Sequence, residues 1–332
     1  MLNAERLWVG SCWDEEDQID IMKTESDNKL RSDITEIGRL ILGMRAAYAR
    51  GENAMAYARQ TAGALGNTPV SALIAYDLQA GSYIAGARAN PEGRVRWCGQ
   101  LSKILGPYIT EKSSILEVGC GEATTLAGVL KYLGKAPKHA LGFDISWSRC
   151  AEGQGWLSEN EVAARLFVAD LFDIPLEDAS VDVVYTSHSL EPNGGREEAA
   201  IRELMRVARR AVVLVEPIYE LASSEAQSRM HAHGYVRGLK ETAESLGAIV
   251  SDYCLLDYTP NPLNPSGLVL IEKKTYEASA CEPTWRCPLT HTPVSDLGDV
   301  FAAVQSGLVY PVLRGIPMLR TEHGIVASKI CG

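Results

Sequence analysis

The chain has 332 residues, 46% of them hydrophobic, and a formal net charge of −10. This length and composition suit a folded protein of one or two domains and exclude a largely disordered chain. The negative charge argues against broad binding to nucleic-acid phosphates, and no apolar run is long enough to predict a transmembrane helix.

The first residues lack the basic segment followed by an apolar one that marks a secretory signal. Eight cysteines are scattered along the chain without a close metal-binding spacing. Reduced thiols, a cytoplasmic location and no bound metal are therefore expected.

The N-terminal part of the chain predicts several helices. Apolar residues with helical spacing predict one helix from Lys29 to about Arg50 and a second from about Asn53 to Leu65. Pro69 suits the first turn of a third helix, which would carry Tyr76 and Tyr83. Because these tyrosines are seven residues apart, they would share one face of that helix.

A strand, a tight glycine turn and a helix are predicted from Ile115 to Leu130. Gly119 and Gly121 would let a ligand approach the backbone closely, and the following helix would present unpaired N–H groups to it. A dinucleotide fingerprint would need a third glycine where this chain has Thr124, so a nicotinamide cofactor is not favoured.

Acidic residues end three successive predicted strands. Glu117 lies in the first strand, Asp144 follows Leu141-Gly142-Phe143, and Asp170 follows Val168-Ala169. A fourth strand is predicted at Val181–Tyr185. Ligands of doubly wound sheets bind at the carboxyl ends of such strands, so these acids are candidate ligand-binding groups.

Together, Glu-x-Gly-x-Gly, Gly-Phe-Asp and Ala-Asp-Leu resemble the motifs of class I S-adenosylmethionine-dependent methyltransferases, over residues 110–275. The resemblance implies S-adenosylmethionine as the cofactor and S-adenosylhomocysteine as its product. It also implies an α/β fold with a doubly wound, Rossmann-like sheet of seven strands, the last one antiparallel. The cofactor-binding residues that it implies are Tyr76, Tyr83, Glu117, Gly119, Gly121, Asp144, Ile145, Asp170, Leu171 and Ser187.

Within that resemblance each group has a separate role. The two glycines would line the methionine half of the cofactor, Asp144 would bind the ribose hydroxyls, and Asp170 would face the adenine amino group. Tyr76 and Tyr83 would lie on a helix that covers the cofactor. The alternative is that both rings only pack within a helical cap.

The acceptor side is predicted after the fourth strand. His188 is the candidate general base, since a free histidine pKa of about 6.5 suits proton removal. The alternative, left open, is that His188 only orients its loop. Ile218 to Arg237 form a long connection, and long connections are often functional. The candidate substrate contacts are His188, Glu191, Asn193, Tyr219, His231, His233 and Tyr235.

The last segment differs in character from the rest. Cys287-Pro288-Leu289-Thr290 and the apolar run from Leu308 to Leu319 resemble the small zinc-ribbon-like domain that accompanies tRNA and translation-factor methyltransferases. Thr290 stands where that domain usually has a second cysteine, which predicts folding without zinc. The predicted domains are a helical cap over residues 1–110, a methyltransferase domain over 111–275 and a small α+β domain over 276–332.

The function expected from these features is methyl transfer to an oxygen or nitrogen of a small polar metabolite, such as a sugar or a natural-product intermediate. The expected partner is thus a small-molecule substrate, with no membrane and no nucleic acid, and homo-oligomerisation stays open. Two alternatives remain: a methyltransferase of RNA or protein, suggested by the C-terminal segment, and an inactive scaffold of the same fold.

Overall fold

The computed structural model describes residues 35–61, 68–273 and 282–330. The chain divides into two compact units, the first ending at Leu78 and the second beginning at Gln79. The predicted cap boundary near residue 110 therefore does not coincide with this division. Where the predicted first helix starts and where the second ends both lie outside the described residues.

The first unit is helical in its described part. Its helices are α1 over residues 35–49, α2 Ala54–Thr61 and α3 Pro69–Leu78. Their apolar faces form a small core of Leu40, Met44, Ala54, Ala58, Ile74 and Ala75. Helices this short owe their stability mainly to such packing rather than to intrinsic propensity.

The second unit contains the main sheet and the helices that cover it. Its described helices are α4 Ser82–Ala89, α5 Pro91–Leu105, α6 Thr124–Tyr132, α7 Trp147–Glu159, α8 Glu197–Val207, α9 Ser224–Ala232 and α10 Leu239–Ser245. The strands of the main sheet are β1 Ser114–Val118, β2 His139–Asp144, β3 Arg165–Val168, β4 Val181–Ser187, β5 Ala208–Pro217, β6 Ile249–Leu255 and β7 Ser266–Glu272.

The main sheet has seven strands in the order β3-β2-β1-β4-β5-β7-β6. β1 to β5 pair in parallel, and β7 runs antiparallel between β5 and β6. The predicted doubly wound fold with an antiparallel last strand is confirmed. Every residue of β1 is buried: Leu116 and Val118 pack on one face and Ile115 on the other. Burial on both faces explains why Ile115, Leu116 and Val118 are all apolar although they do not share one face.

Tyr76 and Tyr83 do not lie on one helix, so the prediction of a shared face was wrong. α3 ends at Leu78, and α4 begins at Ser82 after Gly81, whose φ of 94° is left-handed. A left-handed residue breaks the helical repeat, and glycine adopts that conformation at little cost. Tyr76 belongs to the first unit and Tyr83 to the second.

The long connection after β5 contains a helix of its own. α9 begins after Ser223, whose side chain accepts a hydrogen bond of 3.3 Å from the backbone N–H of Ala226. The next helix, α10, begins at Leu239, directly after Gly238, which is left-handed with a φ of 62°.

The C-terminal segment forms a small β structure rather than the predicted α+β domain. Its strands are β8 Ser295–Asp296, β9 Val300–Ala303, β10 Leu308–Leu313, β11 Ile316–Pro317 and β12 Ile325–Val326. No α-helix occurs within residues 282–330. Proline at positions 311 and 317 and the glycines at 307 and 315 favour short strands and turns over a helix.

This segment packs against β3, which lies at the edge of the main sheet. The backbone N–H of Leu319 donates to the carbonyl of Val168 over 2.8 Å, next to a parallel bridge between Val168 and Met318. The ring of Trp285 lies edge-on to Phe167 at 5.1 Å and to Phe301 at 5.2 Å between centroids. The C-terminal segment therefore extends the main sheet and shares its core.

In the part of the chain that the structure describes, no helix has both the length and the apolar character needed to cross a bilayer.

Candidate active site

The glycine turn joins β1 to α6 at the carboxyl edge of the parallel strands. Gly119 and Gly121 have φ values of 66° and 54°, which favour glycine. A Cβ atom at Gly119 would overlap the side chain of Ser189, and one at Gly121 would press on the ring of Tyr83. The turn therefore brings bare backbone close to the residues after β4 and to the first turn of α4. The approach of a ligand to this backbone stays a prediction.

Glu117 is almost completely buried beneath this turn, with 2% of its surface exposed. The hydroxyl of Tyr185 on β4 donates to its Oε2 over 3.0 Å. Burial raises the pKa of Glu117 to about 8, although Tyr185 and the charge of Arg94 oppose the shift. Because this pKa lies above 7, the Glu117 carboxyl is mostly protonated, and therefore uncharged, at neutral pH.

Asp144, at the end of β2, is tied to the same turn. Its Oδ2 accepts the N–H of Gly121 over 3.0 Å, and its Oδ1 accepts the N–H of Ser146 over 2.9 Å. Burial raises the pKa of Asp144, while these N–H groups and the charge of Arg149 oppose the change. The carboxylate is oriented by the protein and keeps lone pairs for further donors.

Asp170 follows β3 and shapes the next turn. Its Oδ1 accepts the backbone N–H of Phe172 over 2.9 Å, and Leu171 and Phe172 are partly buried beside it. The guanidinium of Arg196 covers the Phe172 ring at 3.3 Å from its centroid. Glu117, Asp144 and Asp170 thus all lie at the carboxyl ends of neighbouring strands, as predicted.

Tyr83 lies over the glycine turn on a charged support that the sequence did not reveal. Its ring contacts the guanidinium of Arg149 at 4.3 Å, and Arg149 pairs with the fully buried Glu122 at 3.4 Å. Glu122 also accepts the backbone N–H of Ile84 over 2.8 Å, next to Tyr83 in α4. These contacts attach α4 to the turn.

Arg94 is a second cation that sequence reasoning missed. From α5 it donates to the hydroxyls of Thr124 at 3.0 Å and Thr125 at 3.1 Å, in the first turn of α6. Its sequence signal was weak, because a lone arginine in a helix is usually a solvated residue. Here its charge reaches the buried Glu117 and favours the ionised form of that carboxyl.

His188 follows Ser187 at the end of β4 and has a left-handed φ of 59°. Its Nδ1 lies 2.9 Å from Oε2 of Glu191, and its Nε2 lies 2.7 Å from the hydroxyl of Ser266 on β7. The amide of Asn264 donates to the same Glu191 oxygen over 3.0 Å. Burial lowers the pKa of His188, but Glu191 and the charge of Glu216 raise it more, so the net shift is upward.

Glu216 holds the backbone of this loop in place. It is fully buried at the end of β5 and accepts the N–H groups of Ser189, Leu190 and Glu191 over 3.1–3.2 Å. Burial raises the pKa of Glu216 to about 7, against the charge of His188. Its signal in the sequence is the same as that of Asp144: an acid directly after a buried apolar run.

The remaining predicted substrate residues are less closely grouped. Asn193 closes its own loop by donating to the carbonyls of Ser189 and Leu190, both over 3.3 Å. Tyr235 is near enough to Glu191 for that charge to contribute, after burial, to raising its pKa. The exposed His231 and His233 lie at the end of α9, and Tyr219 lies in a short turn after β5.

In the C-terminal segment, the Cys287 sulfur is buried and accepts the N–H of Thr290 over 3.3 Å. Among the described residues, no group of three or more histidine, cysteine or acidic side chains is placed to hold a metal. Cys281 and Cys331 lie outside the described residues. Folding without zinc stays a prediction.

Residues 115–211 match a family model described as a methyltransferase domain. The chain carries a class I methyltransferase domain. It is an S-adenosylmethionine-dependent enzyme, and the glycine turn with its strand-end carboxylates fits that cofactor, because it offers bare backbone beside a carboxylate whose orientation is fixed by the protein. The methyltransferase domain accounts for the predicted motifs from Glu117 to Asp170. The zinc-ribbon resemblance of the C-terminal segment, which lies outside these matched residues, stays a prediction.

Several solved structures resemble parts of this chain. Magnesium protoporphyrin IX methyltransferase from Synechocystis PCC 6803 is 15% identical, covers 55% of this chain and 84% of its own, and has a TM-score of 0.44. In a Haloferax volcanii complex of the Trm112 methyltransferase activator with a methyltransferase, the matched chain is 15% identical to this one. The match covers 60% of this chain and 97% of that chain, with a TM-score of 0.46. Geranyl diphosphate C-methyltransferase from Streptomyces coelicolor A3(2) is 11% identical. The match covers 53% of this chain and 80% of that chain, with a TM-score of 0.42. The substrates and partners named there belong to those proteins.

Proposed function

We propose that this enzyme methylates an oxygen or a nitrogen of a small polar molecule, such as a sugar or a natural-product intermediate. The observation that supports this most is the hydrogen-bonded pair of His188 and Glu191, next to the strand ends and within electrostatic reach of Tyr83. A small group of polar side chains in fixed positions suits a small molecule that carries hydroxyl or amine groups. The net charge of −10 does not suit a nucleic-acid surface.

In this proposal the cofactor lies along the carboxyl edge of the sheet. Gly119 and Gly121 make room for its methionine half, Asp144 accepts the ribose hydroxyls, and Asp170 accepts the adenine amino group. Ile145, Leu171 and Ser187 flank these positions, and Tyr83 covers the turn. Tyr76 belongs to the first unit, and its role stays a prediction. When bound, S-adenosylmethionine supplies a methyl group on a positively charged sulfur.

The protein's own contribution is to orient the acceptor and to manage its proton. Direct displacement needs the acceptor atom, the methyl carbon and the sulfur in line, so most of the rate gain comes from positioning. Glu191 and His188 supply fixed hydrogen-bonding groups near the turn, and Tyr235 adds a partly buried ring on the α9 side.

Calorimetry with S-adenosylhomocysteine and turnover of methyl-labelled S-adenosylmethionine test this function. We expect one cofactor per chain and methyl transfer to some member of a panel of amines, phenols and sugars. Glu198→Gln, which changes an exposed acid on α8, is the matched control and should behave like the wild type. Absence of cofactor binding, or label found only in added RNA or protein, would contradict the proposal.

A further inference from the structure

We propose that Glu191 is the residue that contacts the methyl acceptor and receives its proton, and that His188 is a positioning residue that holds Glu191. This inference rests on the methyltransferase function proposed above. It changes the assignment of the base expected from the sequence, because both ring nitrogens of His188 are hydrogen-bonded to protein groups, whereas within the described residues only one carboxylate oxygen of Glu191 is.

Both ring nitrogens of His188 are committed to protein groups. An ionised carboxylate only accepts hydrogen bonds, so the Nδ1 atom that faces Glu191 carries a hydrogen. On the other side, Nε2 faces Ser266, which is 1% exposed and is further hydrogen-bonded to Thr259 at 3.3 Å. The ring of Trp97 lies 5.5 Å from that of His188 between centroids, in a T-shaped arrangement. An acceptor would have to displace a hydrogen-bonded protein group to reach either nitrogen.

Glu191 is held by four hydrogen bonds from three different parts of the chain. Its N–H donates to Glu216 over 3.2 Å, and its carbonyl accepts the N–H of Val236 over 3.1 Å. Its Oε2 accepts from His188 and Asn264 at 2.9 and 3.0 Å. Within the described residues no hydrogen bond reaches Oε1, and the side chain is 21% exposed. The protein thus fixes this carboxylate by one oxygen and leaves the other available.

The charge of Glu191 acts on titratable groups near the glycine turn and near α9. The pKa of Tyr83 is raised, first by burial and then by the charges of Asp144 and Glu191, against that of Arg149. Tyr83 itself lies against Gly121. The charge of Glu191 also contributes, after burial, to raising the pKa of Tyr235, whose ring lies 5.7 Å from the guanidinium of Arg229. The Glu191 backbone connects two sites: it lies two residues after Ser189, which is close to Gly119, and its carbonyl accepts the N–H of Val236 after α9.

The proposed step balances as follows for an acceptor with a hydroxyl or amine hydrogen. A bond from the acceptor atom to the methyl carbon replaces the methyl–sulfur bond, whose electron pair stays on sulfur. The acceptor's proton passes to Oε1 of Glu191, which becomes the neutral acid. The hydrogen bonds from His188 and Asn264 to Oε2 keep Oε1 in place during this transfer. The activation barrier is therefore lower, because the carboxylate does not have to be oriented in the reaction step.

The first test needs no acceptor. Nitrogen-15 NMR of histidine-labelled protein without added cofactor would follow His188, identified by the signal lost in His188→Asn. We expect Nδ1 to stay protonated and the titration midpoint to lie above the ordinary value of 6.5. In Glu191→Gln the midpoint should fall by about one pH unit or more, because the neighbouring negative charge is lost. A His188 whose Nδ1 carries no proton, or whose titration midpoint lies below 6.5, would overturn the inference.

The second test uses the acceptor found in the turnover screen. Glu191→Gln should lower kcat by about 100-fold or more, the usual worth of a general base, with S-adenosylhomocysteine affinity within about twofold. His188→Asn keeps an amide donor toward Glu191 and should lose only about tenfold. The inference would be wrong if Glu191→Gln stays active while His188→Asn does not. A wild type that binds no cofactor would instead contradict the proposed function, and the NMR result would still stand.

Discussion

The carboxylate of Asp144 is oriented by backbone N–H groups on both of its oxygens, which ties the end of β2 to the glycine turn. Such a side chain loses little conformational entropy when it accepts hydrogen bonds from ligand hydroxyls, because its rotamer is already fixed. Its contribution to cofactor binding should therefore be large for a single residue.

We expect Asp144→Ala to weaken S-adenosylhomocysteine binding by roughly tenfold or more, because each lost charge-assisted hydrogen bond is worth about 1.5–3 kcal/mol. Calorimetry measures the change, and circular dichroism checks that the fold is intact. Asp252→Ala, an exposed acid on the edge strand β6, is the control. Equal affinities for the wild type and Asp144→Ala would remove Asp144 from the ribose site.

Glu117 gives a pH-dependent prediction. Its pKa is raised from 4.5 to about 8 in the folded protein, so between these values the unfolded chain has lost a proton that the folded chain keeps. The stability contribution of this residue therefore falls as pH rises through that window. Glu117→Gln does not titrate, and its carbonyl can still accept from Tyr185.

Across pH 4.5 to 8 the unfolding free energy of the wild type should fall relative to that of Glu117→Gln, by a few kcal/mol at most, since one unit of pKa shift corresponds to about 1.4 kcal/mol. Urea unfolding at several pH values measures this difference. His188 and Glu216 titrate in both proteins, so their effects cancel. A difference that does not vary with pH would show that Glu117 keeps an ordinary pKa.

Among the individual site residues, the sequence predicted the positions of those that directly follow a strand. Asp144 and Asp170 come directly after apolar runs, so the parallel sheet brings them to one edge. It did not predict the partners of His188. Ser266 lies 78 residues away, and only the return of the antiparallel β7 brings it within 2.7 Å.

The element that depends most on tertiary context is the C-terminal segment on β3. Trp285 lies between Phe167 and Phe301, so it joins the main sheet to β9. Local sequence patterns could not predict this contact, because the two sides are separated by over a hundred residues. By contrast, the break between α3 and α4 follows from a local feature, the left-handed Gly81. The prediction missed this break because it relied on the seven-residue spacing of the two tyrosines and gave no weight to the glycine.

We expect Trp285→Ala to lower the unfolding free energy by about 2–4 kcal/mol, somewhat less than for a fully buried tryptophan because the ring is partly exposed. Denaturant unfolding measures it. Leu289→Ala in the same segment, at a side chain that is 53% exposed, should change stability by no more than about 0.5 kcal/mol. Similar losses for both variants would mean that the stacking contact is not what joins the segment to the sheet.

For the molecule as a whole, the C-terminal segment should act as a brace. Removing residues 276–332 takes away the bond from Leu319 to Val168, the Trp285 contact and the ion pair between Arg165 and Asp296. The shortened protein should therefore have a lower melting temperature than the full chain in scanning calorimetry. An unchanged melting temperature would mean that the segment does not brace the fold.

The C-terminal segment is also expected to fold without zinc. Tyr310, Trp285 and Phe301 contribute apolar surface to the shared core, and burial at ~25 cal/mol per Å2 can replace the stabilisation that a metal would give. Elemental analysis of the purified full chain should find no stoichiometric zinc, and a chelator should leave the melting temperature unchanged. One tightly held zinc ion per chain would refute this.

The pairing of Met318 and Leu319 with Val168 has a consequence for protein synthesis. A ribosome makes β3 about 150 residues before it makes the strand that covers β3. At roughly 5–20 residues per second, the nascent chain would keep that strand edge unpaired for about 8–30 seconds. An uncovered edge is a template for pairing with other chains. Truncated translation products that stop between Glu272, the end of β7, and Met318 should therefore aggregate and recruit chaperones, although they contain every residue predicted to bind the cofactor.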